Sequence, residues 1–242
     1  MFGLNLIRPI VERLARGRII WRRLKNGRAI ALSPDSQLKY LGWSIDPDLD
    51  ALARTHVSEG ASVWDIGANC GTFAFSCDQA AKRVAIEPDP FLCGLIAMSA
   101  ERNGLGVTCY QAAVGDRSGT ARLAIAKRGR ASNHLAEIAG STQTGGNREF
   151  LDVRLMTLDE LLDVEGRPDF IKIDVEGAEV LVLQGASRLL TAKPTIYVEV
   201  FGDNANACRA ILADAGYDII EGANWLATPR AVSALANPER LG

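Results

Sequence analysis

The chain has 242 residues, 48% hydrophobic and 23% charged, enough for one large α/β domain with a small extension. Its net charge of −2 excludes a global basic field of the kind that holds nucleic acid. The charge is uneven, however: residues 1–30 carry eight basic side chains against Glu12, a balance of +7, and the remainder stands at −9.

In chain order, residues 2–25 place Phe2, Leu6, Ile7, Ile10, Val11 and Leu14 at helical spacing with arginines between them. This predicts a basic amphipathic helix, packed on the main domain or lying on a membrane surface with its arginines on lipid phosphates. Residues 28–45 alternate weakly around Ser33-Pro34-Asp35 and predict a small hairpin, after which Asp46-Pro47-Asp48 opens a helix. Residues 1–55 are therefore read as an extension and 56–242 as the main domain. From residue 60 the pattern becomes regular. Apolar runs begin at Ser62 (SVWDI), Arg83 (RVAIE), Val107 (VTCYQAAV), Phe170 (FIKIDV) and Thr195 (TIYVEV). One helix between them spans 89–103, with Asp89 as N-cap, Pro90 in its first turn and Gly104 as its stop. Short β-branched runs alternating with helices predict βαβ units and a doubly wound, mostly parallel sheet. Residues 126–149 are polar and Gly-rich, a length typical of lids and binding loops. Two short runs after Tyr217, DIIE and NWLA, predict an antiparallel hairpin at the sheet edge.

Cys70, Cys77, Cys93, Cys109 and Cys208 form no C-x-x-C pair, and with only His56 and His134 beside them a zinc site is not expected. Free thiols, no apolar run of transmembrane length and no signal-peptide pattern read as a cytoplasmic protein.

The segment VWDIGANCGTF, residues 63–73, ends a strand in a glycine loop. A dinucleotide fingerprint requires G-x-G-x-x-G, and here Asn69 stands where the middle glycine belongs. An acid, Asp65, beside such a loop suits a ligand with an ammonium group better than a diphosphate. S-adenosylmethionine is such a ligand. Glu87 closes RVAIE on the next strand, placed to hold a ribose diol or to charge the N-terminus of the following helix.

VWDIGANCGTF, VAIEPDPF, QAAVGDRSGTARL, LDVRLMTLDELL and FIKIDVEGAEVLVLQGA together resemble the FkbM family of S-adenosylmethionine-dependent methyltransferases, over about residues 40–205. The resemblance implies a class I Rossmann-like methyltransferase fold and methyl transfer to a hydroxyl of a sugar, glycan or natural product. It implies that Asp65, Gly67, Ala68, Asn69 and Gly71 hold the methionine part of the cofactor and Glu87 its ribose. Ala112, Ala113 and Val114 would lie against adenine, with Asp174 facing the methyl group. Cys70 stands where the family more often has an aliphatic residue, and residues 1–30 lie outside the resemblance.

A hydroxyl acceptor needs alignment with the methyl group and removal of its proton. Asp174, Glu176 and Glu199, at the carboxyl ends of strands, are the candidate catalytic acids, with His134 a candidate base from the Gly-rich loop. Glu176 has an alternative reading as helix N-terminal charge, Lys172 as an ion-pair partner, and the acids together as a divalent-metal site. The acceptor is expected to be a small molecule or glycan and not nucleic acid. Two other functions fit the same residues less well. One is a scaffold docked by its basic head; the other is a nicotinamide-dependent oxidoreductase.

Overall fold

The computed structural model describes residues 11, 13–42, 45–138 and 144–231. In chain order its main elements are strands β1 (Ile20–Arg23) and β2 (Ala29–Leu32), helix α1 (Pro47–His56), β3 (Ser62–Ile66), α2 (Thr72–Ser76), β4 (Lys82–Ile86) and α3 (Pro90–Asn103). Then come β5 (Thr108–Tyr110), β6 (Ala113–Val114), β7 (Gly119–Ala126), β8 (His134–Leu135), β9 (Asn147–Met156), α4 (Leu158–Glu165) and β10 (Phe170–Ile173). The last are α5 (Glu179–Gln184), α6 (Ser187–Thr191), β11 (Thr195–Val198), α7 (Ala205–Asp214), β12 (Tyr217–Ile220) and β13 (Trp225–Pro229).

The apolar runs build a seven-stranded sheet in the order β12-β13-β11-β10-β3-β4-β5. Strands β3, β4, β5, β10 and β11 pair in parallel, and the β12–β13 hairpin adds an antiparallel edge. The chain leaves β3 toward β4 and β5, then returns to add β10 and β11 on its other side. This reversal between β3 and β10 is the switch point at which open α/β sheets bind ligands. Helices α4 to α7 cover one face through Leu158, Leu161, Val182, Leu183, Leu189 and Leu212. The α3 helix is placed as expected: Asp89 Oδ1 accepts the Phe91 amide at 2.9 Å, and Gly104 ends the helix at φ 58°.

Three features differ from the sequence-based expectations. Residues 2–10 and 12 of the expected 2–25 helix lie outside the described residues; 11 and 13–15 are helical, but 20–23 form a strand. The hairpin is β1–β2, turning at Asn26-Gly27 with Gly27 at φ 84°, and not around Ser33-Pro34-Asp35. Arginine interleaved with apolar residues satisfies the two-residue period of a strand as well as a helical spacing. Leu24, Ile30, Ala31, Leu32 and Tyr40 share one core with Leu92, Leu95 and Ile96 of α3.

The 107–114 run is also not one strand. It breaks at residues 111–112, so that β5 joins the large sheet and β6 joins a second, four-stranded sheet in the order β6-β9-β7-β8. That second sheet was not anticipated: β9 carries four charged residues in ten, and β7 begins in the polar turn at Gly119. Within 126–149, residues 130–132 form a 3-10 turn and 134–135 form β8, so much of the expected loop is built into the fold; residues 139–143 lie outside the described ones.

Candidate functional site

The loop after β3 is fixed by close backbone packing. Gly67, at φ 72°, approaches the tip of β10 so closely that a Cβ there would stand 1.8 Å from the Asp174 carbonyl oxygen. Only glycine fits both that contact and that left-handed backbone. The Gly67 and Ala68 amides donate to the Ile86 carbonyl at 2.9 and 3.0 Å. Asn69 is also left-handed, at φ 54°, which turns its amide onto Glu87 Oε2 at 2.8 Å. Its side-chain oxygen accepts the Cys70 amide at 2.8 Å and the Ser36 hydroxyl at 2.6 Å. Cys70 is fully buried, and burial pushes its thiol up to about 12, so it packs as a neutral group.

Glu87 ends β4 with both carboxylate oxygens held, Oε2 by Asn69 and Oε1 by the Asp89 amide at 2.9 Å. Each oxygen retains a further lone pair. Burial raises the group to about 8, against the opposing effect of the two amides. The helix-capping role falls to Asp89, leaving Glu87 open to a cavity.

That cavity, of about 550 Å³, opens over the carboxyl ends of β3, β4, β10 and β11. It is lined by Gly67, Ala68, Asn69 and Glu87, by Ala112, Ala113 and Val114, by His134, and by Asp174, Glu176 and Glu199. Gln37, Lys39, Tyr40 and Asp46 to Leu49, with Arg130, Ala131 and Asn133, supply further wall. On the β10–β11 side the acids cluster around one cation. Lys172 Nζ lies 3.3 Å from Asp65 Oδ1 and 3.3 Å from Asp174 Oδ2. Burial opposes this ammonium, but Asp174 and Asp65 outweigh it and hold it charged. Glu176 sits at φ 51° and has no ion-pair partner among the described residues. Burial first, then the charges of Asp174, Glu199 and Glu179, push it up to about 8. Glu199 is raised in the same way, by burial and then by Asp174.

The opposite wall is latched by ion pairs. Arg130 donates to Asp35 Oδ2 at 3.0 Å and to Asp89 Oδ2 at 2.5 Å, and its guanidinium lies 4.7 Å from the Phe91 ring centroid. Arg148 reaches Asp35 Oδ1 at 2.9 Å, and Asn133 adds a bond to Asp89 Oδ2 at 2.9 Å. His134 belongs to this wall, with Nδ1 3.1 Å from the Ser132 carbonyl. Its neighbour Asn133 binds at the β4 tip, and Glu199 follows β11, three strand spacings or about 14 Å away.

Two residues expected from sequence to hold the cofactor lie outside the cavity lining. Asp65 is buried, with Oδ2 on the Ala74 amide at 3.2 Å and Oδ1 toward Lys172. Register explains this: Asp65 and Lys172 are direct partners across β3 and β10, so their side chains share one face of the sheet. Gly71 caps α2 at φ 80°, where a Cβ would stand 3.0 Å from the Phe75 ring. Gln37, Lys39, Tyr40, Asp46, Arg130 and Asn133 line the cavity without having been expected there from sequence. Four of them fall in the stretch read as an extension, so nothing local marked them. No group of His, Cys, Asp or Glu among the described residues is arranged to hold a metal ion.

The description "Methyltransferase FkbM domain" matches residues 65–219, from the glycine loop to the edge hairpin. The chain belongs to the FkbM methyltransferase family. As an FkbM protein it carries a methyltransferase domain over those residues. A curated relative, the hexuronic acid methyltransferase AglP of Haloferax volcanii, is 25% identical over 157 residues, 64% of this chain and 62% of that protein. The match thus spans less than two thirds of the relative's length. Among solved structures, the FkbM chain resembles T. thermophilus 16S rRNA N2 G1207 methyltransferase in complex with AdoMet and guanosine, with a TM-score of 0.48, 15% identity and coverage of 88% of this chain and 50% of that one. It also resembles magnesium protoporphyrin IX methyltransferase from Synechocystis PCC 6803 with bound SAM, with a TM-score of 0.45, 13% identity and coverage of 76% and 77%. No helix among the described residues is long and apolar enough to cross a membrane.

Proposed function

We propose that this chain methylates a hydroxyl group on a sugar, glycan or other small natural-product acceptor. The observation that carries the reading is one cavity with a nucleoside side and an acid side. Glu87 offers free lone pairs beside Ala112, Ala113 and Val114, and Asp174, Glu176 and Glu199 stand across the switch point. The orphaned Gln37 side-chain oxygen in the same lining is a further sign that a polar ligand completes the cavity.

S-adenosylmethionine, when bound, supplies the activated methyl group. Glu87 would hold the ribose diol, Ala112, Ala113 and Val114 would hold the base, and the 67–69 loop would hold the thioether arm. Asp65 acts through Lys172, keeping that ammonium in place beside Asp174; it is a positioning residue and not a ligand. Glu176 is the general base. It has no neutralising partner, and a basicity near 8 suits it to accept a hydroxyl proton close to neutral pH. Its left-handed backbone, at a cost of about 1–3 kcal/mol, keeps the carboxylate on the cavity wall. Glu199 remains a neighbour that raises this basicity. His134, on the nucleoside side, closes the wall and does not move a proton.

An acceptor screen measuring S-adenosylhomocysteine release tests the reading, with neutral, amino and acidic sugars in parallel. Turnover of a sugar hydroxyl is the expected result; methylation of a nitrogen, or of nucleic acid alone, would overturn it. For the acceptor so found, Glu176→Gln should lower kcat about 10²–10⁴-fold while leaving S-adenosylhomocysteine affinity unchanged. A kcat within a few-fold of wild type would remove Glu176 from the base role.

A further inference from the structure

Part of the cavity is built by residues that precede the family match at 65–219: Gln37, Lys39, Tyr40, Asp46, Pro47 and Asp48. This wall is chemically unfinished. Gln37 Oε1 is buried and accepts no hydrogen bond, a state that costs about 1–3 kcal/mol unless something donates to it. Asp46 stands in the left-handed region at φ 35°, ψ 63°, which few residues besides glycine, asparagine and aspartate adopt. Its side chain is 10% exposed. One carboxylate oxygen pairs with Lys39 Nζ, and the other accepts the Tyr40 hydroxyl at 3.3 Å. Tyr40 is buried, and burial first, then Cys70 and Asp46, hold its phenol well above the usual value, so it stays a donor. The wall is tied to the glycine loop by the Ser36–Asn69 hydrogen bond at 2.6 Å.

An acid, an amide oxygen lacking a donor and a lysine, all on one wall, complement a zwitterion. An ammonium would satisfy Gln37 Oε1 and share Asp46, and a carboxylate would take Lys39, which the ammonium displaces from part of its hold on Asp46. Asp65 does not reach this seat, because it is buried on the Lys172 side of the sheet and lies outside the cavity lining. We infer that Gln37, Lys39 and Asp46 form the seat of the cofactor's α-amino acid end, facing the 67–71 loop. The inference rests on the cavity being the cofactor cavity.

Two probes separate that seat from the rest of the cavity. S-adenosylhomocysteine carries the amino acid end, and 5′-methylthioadenosine shares its nucleoside and sulfur but lacks that end. Both are titrated calorimetrically into wild type, Gln37→Leu, Lys39→Met and Asp46→Asn, with thermal melting as a control for folding. Asparagine tolerates the left-handed backbone at 46, and leucine removes the unsatisfied oxygen at 37, so all three variants should fold. Each should weaken S-adenosylhomocysteine tenfold or more and leave methylthioadenosine within twofold. Equal losses for both probes, or none for either, would overturn the inference while leaving the cofactor cavity standing. Failure of wild type to bind either probe would overturn the cavity reading and this inference together.

Discussion

At the scale of single residues, Glu87 makes the sharpest claim. Burial places its folded pKa near 8, above the usual carboxylate value, so the proton is bound through neutral pH and lost only as pH rises past that point. A ribose diol donates to the ionised form. Affinity for S-adenosylhomocysteine should therefore climb about tenfold per pH unit from 6 toward 8 and level off above it. Glu87→Gln should bind weakly and flatten that profile, as calorimetry across pH will read. The place of Glu87 at the cavity was legible from sequence, because an acid that ends a strand beside a glycine loop stands at the carboxyl edge of the sheet. Asp65 was legible as important, but its place beside Lys172 and outside the cavity lining was not. Which face a strand residue takes depends on the register with β10, a pairing across 107 positions of sequence that no local pattern records.

At the scale of elements, the tips of β3 and β10 are joined by a contact only glycine permits. Gly67→Ala forces a methyl group into the Asp174 carbonyl at a left-handed φ, and should cost more than about 4 kcal/mol in chemical denaturation. The Arg130 latch gives a second prediction. Arg130→Met leaves Asp89 fully buried with Asn133 as its remaining side-chain partner, which should cost about 3 kcal/mol. The same variant should release bound S-adenosylhomocysteine faster, measurable by stopped flow. The parallel strands were readable because short, continuous apolar runs between capped helices are the mark of strands buried on both faces. β7 and β9 were not: one of their faces carries Arg122, Asp152 and Arg154, and their apolar positions form a cluster of the small sheet's own, which the sequence does not announce. The latch was equally hidden, since it joins positions 35, 89, 130 and 148.

At the scale of the molecule, the main domain and its expected extension share a core. Removing residues 1–46 would uncover Leu92, Leu95 and Ile96, which Leu24, Ile30, Leu32 and Tyr40 cover. Such a truncation should aggregate or bind a hydrophobic dye, whereas an appendage would leave a monodisperse, cooperatively melting protein. Composition forecast a single α/β body and not this interdependence, because the hairpin residues are apolar in an ordinary proportion and carry no signature of their partner.

The break at residues 111–112 has a bearing on how binding would be felt elsewhere. Within two residues the backbone leaves one sheet and enters the other, and β6, with Leu123 of β7 and the β8 residues His134 and Leu135, brings the second sheet to the cavity. An adenine resting on Ala113 and Val114 would act as mortar at this seam. Amides of β9, such as Leu155 and Met156 behind them, should then exchange with deuterium more slowly once the nucleoside is seated, although none of them touches it. Mass-resolved exchange would make the small sheet a remote gauge of occupancy in the large one.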